Sequence, residues 1–439
     1  MMKVFVAIDS FKGAVGSAAA CRAAADALRE RFAQREAGGR LSAPAGSGRS
    51  AASPADVREF PVSDGGEGFC ECIHHYLGGT WIPLPVTGPD GQTVEAKYLI
   101  ANGKAPANGS IFGTGDASGA GDASPKTAFI ESASACGYTL VSGSHPDPRE
   151  HDTDSHDRPD PRELTTAGVG ELIADAIRRG CTRIVLGLGG TATIDAGLGL
   201  YNALRKAFPA APDPNRCDGD DAGATLGDIE FTVCVDTFAP LTGPAGAAYM
   251  YGPQKGLRKD QLAEADAWLS RQASRLGLSP TTPGFGAAGG LLCGLTAALS
   301  LRQMSEGTGP ILEIVSGADY LIEISGLKEA IREISKDNIL IITGEGRVDE
   351  QSLTGKLTGR IAAFASSLNQ DSTQPINQAS RLPRTKVLCL AGSIGKGFDP
   401  KNSIFDEVLV ITPEGTPLDK ALADTAANIR RTLLKHFSV

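Results

Sequence analysis

Histidine is scarce in this sequence, and its positions exclude one kind of catalysis. Only six of the 439 residues are histidine, and none lies in the glycine-rich polar clusters of the chain. A Ser-His-Asp triad needs a histidine beside its nucleophile, so such a triad is excluded from those clusters. Any general base there must be an aspartate or a glutamate.

Positive charge and long apolar runs are also limited. The net charge is −9 and the isoelectric point is about 5.3, which argues against nucleic acid or an anionic membrane as the main partner. The most apolar stretch, 286–301, is shorter than the roughly 20 residues that cross a bilayer, so it is predicted to be a buried helix. The N-terminal residues enter a strand at once, unlike a targeting segment. We therefore expect a cytoplasmic protein.

The nine cysteines are irregularly spaced and match no disulfide or zinc pattern. Free thiols in a reducing compartment are expected. Cys70, Cys72, His74 and His75 fall on one short predicted helix and could not by themselves close a tetrahedral metal site.

Glycine, by contrast, is abundant, with 54 residues, and it is concentrated where predicted strands end. Five clusters there combine glycine with acids, hydroxyls and cations. In open α/β sheets ligands bind at the carboxyl ends of strands, so these clusters are the candidate functional site. The clusters are DSFKG (9–13), SDGGEG (63–68), GLGGTATIDAG (187–197), VDTFAPLTGPAGAAYMYGPQKG (235–256) and TGEGRVDEQSLTGK (343–356).

Strand and helix patterns alternate along most of the chain, with YLIEIS (320–325) among the predicted strands, and this alternation predicts an α/β fold. The period-two pattern around Gly-Pro-Asp-Gly in 81–100 predicts a β-hairpin. We predict a Rossmann- or flavodoxin-like parallel-sheet domain built from both chain ends, 1–83 and 286–439. A second α/β domain, 84–285, would be inserted into it. A contiguous split near residue 285 is the alternative arrangement.

Three polar segments are predicted to be flexible surface insertions: 36–55, 101–126 and 142–163. Their low hydrophobicity does not offset the entropy lost on ordering. The third segment holds His145, His151 and His156 among Asp, Pro and Arg. A solvated loop is favoured there over a metal site.

The clusters fit neither of two common nucleotide-binding motifs in full. A Walker A loop ending at Gly355-Lys356 fails, because Glu350 stands where glycine is needed and Leu357 where Ser or Thr is needed. GLGGTA fits a dinucleotide fingerprint, but the acid expected about 20 residues later falls in a polar region instead of at a strand end. A turn that binds phosphate through amides at a helix N-terminus is compatible with this sequence.

The charged residues of the clusters are suited to phosphoryl transfer. That reaction uses acids to hold Mg²⁺, cations to neutralise phosphate and an acid near the acceptor hydroxyl. The candidate acids are Asp9, Asp64, Glu67, Asp195, Asp236, Glu345 and Asp349. The cations are Lys12, Lys255, Arg347 and Lys356.

Six motifs, in this order, resemble the glycerate kinase family of the bacterial, glycerate 2-kinase-like type: DSFKG, SDGGEG, GLGGTAT-x-DAG, PLTGPAGA with GPQKG, GFGAAGGL and TGEGRVDEQSLTGK. The resemblance covers nearly the whole chain apart from the insertions and a polar stretch near 370–384. It implies a two-domain α/β enzyme that uses ATP and Mg²⁺ to phosphorylate D-glycerate, usually at the 2-hydroxyl, which gives 2-phosphoglycerate. Small molecules are the expected partners, and a homodimer is one assembly to test.

The resemblance to this family implies roles for individual residues. Asp195 is predicted to be the base near the acceptor hydroxyl, and Lys12 and Arg347 to neutralise the substrate carboxylate and the transferring phosphoryl group. Asp64 and Asp349 are the predicted Mg²⁺ ligands. The predicted nucleotide-phosphate site comprises Gly187, Gly189, Gly190, Thr191, Gly344, Glu345 and Lys255.

The chain departs from the family pattern at three positions. Ile194 stands where the family usually has Asn before the acid, and Phe238 and Ala239 stand where it usually has Asp-Asn. Polar groups expected to face a cleft are thereby lost. The departures motivate the alternative of a non-catalytic nucleotide or glycerate sensor. A dinucleotide oxidoreductase is a further alternative that rests on GLGGTA alone.

Overall fold

The computed structural model describes residues 2–41, 56–102, 125–141, 159–209, 226–306, 311–334, 338–353, 355–370 and 384–438. The three predicted insertions lie largely outside these residues, and so do His145, His151 and His156. The chain divides into two compact units. The first unit comprises 1–63 and 321–439, and the second comprises 64–320.

The first unit is built on a five-stranded sheet with the order β11-β10-β9-β1-β2, in which every pair is parallel. Its strands are β1 (Met2–Val6), β2 (Asp56–Glu59), β9 (Asn338–Val348), β10 (Thr385–Ile394) and β11 (Glu407–Val410). Val4, Val6 and Ile342 are buried in a core that the helices cover. Near-continuous apolar strands of this kind are expected in a parallel sheet with helices on both faces.

The second unit is built on a six-stranded sheet with the order β3-β4-β5-β6-β7-β8. Its strands are β3 (Thr80–Thr87), β4 (Thr93–Asn102), β5 (Lys126–Glu131), β6 (Arg183–Leu188), β7 (Glu230–Val235) and β8 (Ile311–Ser316). The β3/β4 pair is the predicted hairpin, and β4 also pairs antiparallel with β5. The remaining pairs are parallel, so both sheets confirm the predicted α/β class.

Helices flank both sheets. Those of the first unit are α1 (Ser17–Leu41), α10 (Leu327–Arg332), α11 (Glu350–Leu353), α12 (Leu357–Gln370), α13 (Leu418–Ala423) and α14 (Thr425–His436). Those of the second unit are α2 (Phe69–Leu77), α3 (Ala133–Cys136), α4 (Ala167–Arg178), α5 (Leu198–Ala207), α6 (Ala247–Tyr251), α7 (Leu262–Arg275) and α8 (Leu291–Glu306). The boundary between the units falls within α9 (Gly317–Ile324).

The unit boundaries differ from the expected 1–83, 84–285 and 286–439. Residues 64–83 and 286–320 belong to the second unit instead of the first. Three contacts explain the difference: α2 packs against β4 and β5, α8 packs against α5, and β8 pairs with β7. Sequence periodicity identifies elements but does not identify the sheet that each one joins.

The segment YLIEIS (320–325) was predicted as a strand and is instead mostly helix, as part of α9. Tyr320, Leu321 and Ile322 are all buried, so the apolar residues indicate burial more than they indicate a period. A short, mostly apolar segment of six residues cannot distinguish a strand from a buried helix. The hydroxyl of Ser316 accepts a hydrogen bond from the Asp319 amide and thereby caps the first turn.

The cysteines and helices of the described residues agree with two further expectations. The eight cysteines in those residues are free thiols, and all are buried. The predicted buried helix in 286–301 is α8, preceded by a short 3-10 turn at Ala287–Gly289. In the described part of the chain, no helix is both long enough and apolar enough to span a membrane.

Candidate active site

The first polar cluster lies at the carboxyl ends of β1, β9 and β10. Because the three strands are parallel and adjacent, their ends meet at one edge of the sheet. The Asp9 amide donates to the Gly344 carbonyl at 3.0 Å and joins DSFKG to TGEG. A Cβ added at Gly346 would lie 3.9 Å from the Lys12 amide nitrogen, so Lys12 also belongs to this edge.

Glu345 is buried at this edge and is held by side chains. Its carboxylate accepts from the Thr358 hydroxyl at 2.7 Å and from the Lys356 ammonium at 3.3 Å. The same ammonium lies 3.6 Å from the Asp349 carboxylate. Lys356 thus bridges two acids, and Glu345 is anchored instead of being directed at solvent.

Arg347 differs from the other cations of this cluster. It is half-buried near the end of β9, opposite Ser393 of β10. Among the residues that the structure describes, no carboxylate pairs with its guanidinium. A guanidinium in this position is available to an anionic ligand, with which it can form two parallel hydrogen bonds.

Packing between adjacent strands requires a glycine at position 344, independently of any contact with a ligand. A Cβ at this position would lie 2.5 Å from the Leu390 carbonyl oxygen on the adjacent strand. No real Cβ tolerates such a distance to backbone. The glycine thus allows β9 and β10 to stay paired at the site.

The second polar cluster is formed by loops at the ends of β6 and β7 and by the SDGGEG loop. A Cβ at Gly187 would lie 2.6 Å from the Gly65 carbonyl oxygen, and one at Gly189 would lie 2.8 Å from the Gly66 Cα. The two glycine loops therefore touch through their backbones. Asp64 accepts from the Gly66 amide at 3.0 Å, which stabilises the turn from within.

Asp195 is buried, with 5% of its surface exposed, and both carboxylate oxygens are used. One oxygen accepts from the Gly197 amide at 3.0 Å. The other accepts from the Thr166 amide at 3.0 Å, the Thr166 hydroxyl at 2.8 Å and the Gly199 amide at 3.0 Å. Burial raises the pKa of Asp195, and these hydrogen bonds oppose the shift. The carboxylate joins the starts of α4 and α5.

Lys255 is buried, and no acid among the described residues is in direct contact with its ammonium. Its ammonium donates to the Thr191 hydroxyl at 3.1 Å and to the Thr193 carbonyl at 2.9 Å. Burial lowers the pKa of Lys255 to about 8, although Cys136, Asp236 and Asp195 act in the opposite direction. The Lys255 side chain therefore stabilises the GLGGT turn through hydrogen bonds to Thr191 and Thr193.

The departures from the family pattern have different environments. Ile194 is fully buried in the hydrophobic core of the second unit, so its side chain does not face a cleft as expected. Phe238 is 46% exposed and Ala239 is partly exposed. Their carbonyls accept from the Gly284 amide, which fixes this loop against GFGAAGG. Only the change at 238 and 239 alters an exposed surface.

The structure thus groups the predicted residues into two sets. The first unit brings together Lys12, Gly344, Glu345, Arg347 and Asp349. The second unit brings together Asp64, Gly187, Gly189, Gly190, Thr191, Asp195 and Lys255. Nowhere in the described ranges do three His, Cys, Asp or Glu side chains converge to hold a metal ion.

Several residues of these networks were not identified from the sequence. Thr166 and Thr358 hold Asp195 and Glu345, respectively, but lie 29 and 13 residues away from them in the chain. Glu131 ends the buried strand β5 and is an acid at a strand end. The five clusters were defined by glycine together with acids, hydroxyls or cations at strand ends. Glu131 is an acid at a strand end without an adjacent glycine, so this definition does not include it.

Comparison with solved structures gives the class of protein. The chain is similar to the crystal structure of a Salmonella typhimurium protein assigned as glycerate kinase 2, with a TM-score of 0.60 and 26% identity. The match covers 99% of this chain and 97% of that one. The fold is therefore that of a two-domain α/β kinase.

Sequence comparison identifies the family. The model of the glycerate kinase family matches residues 4–438. A glycerate 2-kinase of Escherichia coli is 30% identical, and a glycerate kinase of Bacillus subtilis is 29% identical; each match covers 98% of this chain and 96% of the relative. The chain belongs to the glycerate kinase family, and the protein is an enzyme of the kinase class that uses a nucleotide.

Proposed function

We propose that the protein transfers the γ-phosphoryl group of ATP to the 2-hydroxyl of D-glycerate in a Mg²⁺-dependent reaction. The observation that carries the proposal is Arg347, a half-buried cation without an acid partner in the described residues. It lies near the end of the core strand β9, two residues after the buried Glu345. Both substrates are anions, and an unpaired guanidinium at a strand end suits them.

Arg347 would act as a charge clamp. Phosphoryl transfer builds little new covalent structure on the protein, so catalysis rests on positioning and on neutralising charge. Lys356 already bridges Glu345 and Asp349. Arg347 is therefore the better candidate for direct contact with the transferring group or the substrate carboxylate.

The residues present fit Mg²⁺ better than a metal bound only by protein. Mg²⁺ in kinases is held by one or two carboxylates and completes its octahedron with phosphate oxygens and water. The absence of a three-ligand cluster in the described residues agrees with such a site. Asp64 in the second unit and Asp349 in the first are the candidate carboxylates, and the bound ion would neutralise charge on the nucleotide phosphates.

The GLGGT turn would line the phosphates through its backbone amides, with Gly187, Gly189, Gly190 and Thr191. Lys255 holds the turn through Thr191 and Thr193, so its contribution to phosphate binding would be mainly indirect. In the first unit, Gly344 and Glu345 are the candidates for contact with the nucleotide phosphates. Their fixed backbone would save the cost of ordering on binding.

Two aspartates, Asp195 and Asp236, are candidates for the general base. Asp195, predicted from the motif, has both oxygens occupied by four hydrogen bonds. Asp236 follows β7, and its carboxylate oxygen lies 3.6 Å from where a Cβ at Gly189 would stand. Asp236 is thus directed at the glycine turn, whereas Asp195 is directed at helix starts. We assign the base role to Asp236 and an anchoring role to Asp195.

The proposal is tested with the purified full chain. ADP formation is followed with ATP, with and without Mg²⁺, across small hydroxy acids that include D- and L-glycerate, lactate and glycolate. Phosphorus NMR of the product distinguishes the 2- from the 3-phosphate. D-Glycerate should give the highest kcat/KM. If no hydroxy acid stimulates ADP formation while calorimetry shows that nucleotide or glycerate binds, the sensor alternative replaces this proposal.

Matched substitutions distinguish the roles of the two aspartates. Asp236→Asn removes the base and should lower kcat by at least ~10² with an unchanged melting temperature. Asp195→Asn places an amide NH₂ against backbone N–H groups, so it should lower the melting temperature as well as activity. The reverse pattern, with stable but inactive Asp195→Asn and active Asp236→Asn, would return the base role to Asp195.

A further inference from the structure

Glu131 lies at the end of β5, in the second unit, and binds the start of α2. One carboxylate oxygen accepts from the Gly68 amide at 3.2 Å, and the other accepts from the Cys70 amide at 3.3 Å. The N-cap residue Gly68 has a left-handed backbone and no side chain that could cap α2. A glutamate from a neighbouring strand therefore performs the capping that the helix's own sequence does not provide.

Ser132, the next residue, binds the other glycine loop. Its amide donates to the Gly187 carbonyl at 3.0 Å. Its hydroxyl lies 3.3 Å from both the Gly189 amide nitrogen and the Gly189 carbonyl oxygen. Two consecutive residues at one strand end thus hold two loops that are far apart in sequence.

These loops have no spare space between them. A Cβ at Gly187 would meet the Gly65 carbonyl at 2.6 Å, and one at Gly189 would meet the Gly66 Cα at 2.8 Å. Because the backbones are in contact, a displacement of one loop must displace the other. The position of both depends on whatever fixes each to the sheet.

We propose that Glu131 and Ser132 are positioning residues that set the place of the SDGGEG loop relative to the GLGGT turn. The inference deepens the proposed function, on which it rests for the view that these loops bind the reacting groups. Neither side chain needs to touch substrate. Their effect would be to hold the amides and Asp64 at the geometry that the bound phosphates require.

The electrostatic setting of Glu131 makes its protonation state relevant. Burial raises its pKa to about 7, while the Cys70 and Gly68 amides oppose the shift and the charges of Glu67 and Glu71 add to it. The thiol of Cys70 also lies close to this group, and Lys97 on β4 acts on that thiol and lies 3.9 Å from the Glu71 carboxylate. Near neutral pH the carboxylate therefore gains a proton and accepts the two amides less strongly.

The test compares Glu131→Gln and Ser132→Ala with a matched control, Glu171→Gln. Glu171 accepts from the Thr87 amide and hydroxyl, both at 2.8 Å, and contacts neither glycine loop. The first readout is hydrogen exchange by mass spectrometry, which does not depend on catalysis. Glu131→Gln should lose protection in peptides covering 64–70, and Ser132→Ala in peptides covering 187–190. Glu171→Gln should change neither region.

The second readout is kinetics with D-glycerate and ATP between pH 5.5 and 8.5. Wild-type kcat/KM should fall below about pH 7, and Glu131→Gln should lack this acidic limb. At pH 8 Glu131→Gln should lose about tenfold or more in kcat/KM through misplacement of the loops. Glu171→Gln should remain within about twofold of wild type, a range typical of surface changes.

The outcomes are distinguishable. Unchanged exchange in Glu131→Gln and Ser132→Ala overturns the inference, whatever the enzyme phosphorylates. Altered exchange with wild-type kinetics and an unchanged acidic limb also overturns it, because the loops would then be held without consequence for the reaction. If wild type phosphorylates no hydroxy acid, the proposed function fails, and the exchange data alone decide whether the two residues hold the loops.

Discussion

Glu345 in the first unit and three carboxylates of the second unit are held by different means. In the first unit Glu345 is held by side chains, the hydroxyl of Thr358 and the ammonium of Lys356. In the second unit Asp64, Glu131 and Asp195 are held by backbone amides of glycine loops and helix starts. Side-chain partners can shift with little cost, whereas amide partners require one backbone geometry. The loops around Asp64, Glu131 and Asp195 should therefore tolerate small backbone changes less well than the surroundings of the Glu345 carboxylate.

Arg347→Ala should cause the largest change, and it tests a cation that has no acid partner among the described residues. Loss of a single preorganised donor to the transition state typically lowers kcat by ~10²–10³. Steady-state kinetics and circular dichroism measure activity and fold. Arg332→Ala is the control, since Arg332 is 58% exposed on α10 and pairs with Glu329. A folded Arg347→Ala with normal kcat would assign the arginine a structural role.

Ile194→Asn addresses the packing beneath the second unit's loop. Ile194 is fully buried among apolar residues, so the substitution loses apolar burial and buries an amide without partners. The expected cost is about 3 kcal/mol in the free energy of unfolding. Chemical denaturation measures it, with Ile194→Val as the conservative control. An Asn variant as stable as wild type would show that the site admits a polar partner.

Gly189→Ala and Gly346→Ala compare the two glycine loops directly. The first places a Cβ 2.8 Å from the Gly66 Cα, and the second places one 3.9 Å from its nearest neighbours. A displacement of about 1 Å at a reacting centre costs ~10² in rate, so Gly189→Ala should lose about that much. Gly346→Ala should stay close to wild type. Equal losses in the two variants would remove the contrast in backbone tolerance between these two loops.

Lys255→Met should have the smallest effect, on the pH dependence of stability. The folded-state pKa of about 8 lies below the ordinary 10.5, so the unfolded chain binds more protons between these values. The contribution of Lys255 to stability therefore rises with pH across that window, by roughly 1 kcal/mol or more. Urea denaturation from pH 7 to 10 gives the free energy of unfolding of wild type and variant. The difference between the two proteins at each pH isolates the contribution of Lys255. Parallel curves for the two proteins would contradict it.

Several features were accessible from the sequence because they depend on local pattern. The hairpin β3/β4 follows from alternation around Gly-Pro-Asp-Gly, and the strand ends follow from apolar runs that stop at glycine and acid. The ordered motifs were sufficient to predict the family that the comparisons confirm. The segment at 320–325 is mostly helix although its sequence predicts a strand, because six mostly apolar residues are too few to distinguish the two periods.

What the sequence determined by itself is the inventory: acids and cations without histidine, glycines at strand ends, and the alternation that produces parallel sheets. Tertiary structure alone decided which of these groups are available to a ligand. Asp195 and Arg347 looked equally suited to catalysis, yet one is enclosed by four hydrogen bonds and the other lacks an acid partner in the described residues. The reason is that partners such as Thr166 and Thr358 are brought to these side chains by helix packing, and sequence spacing does not encode that approach.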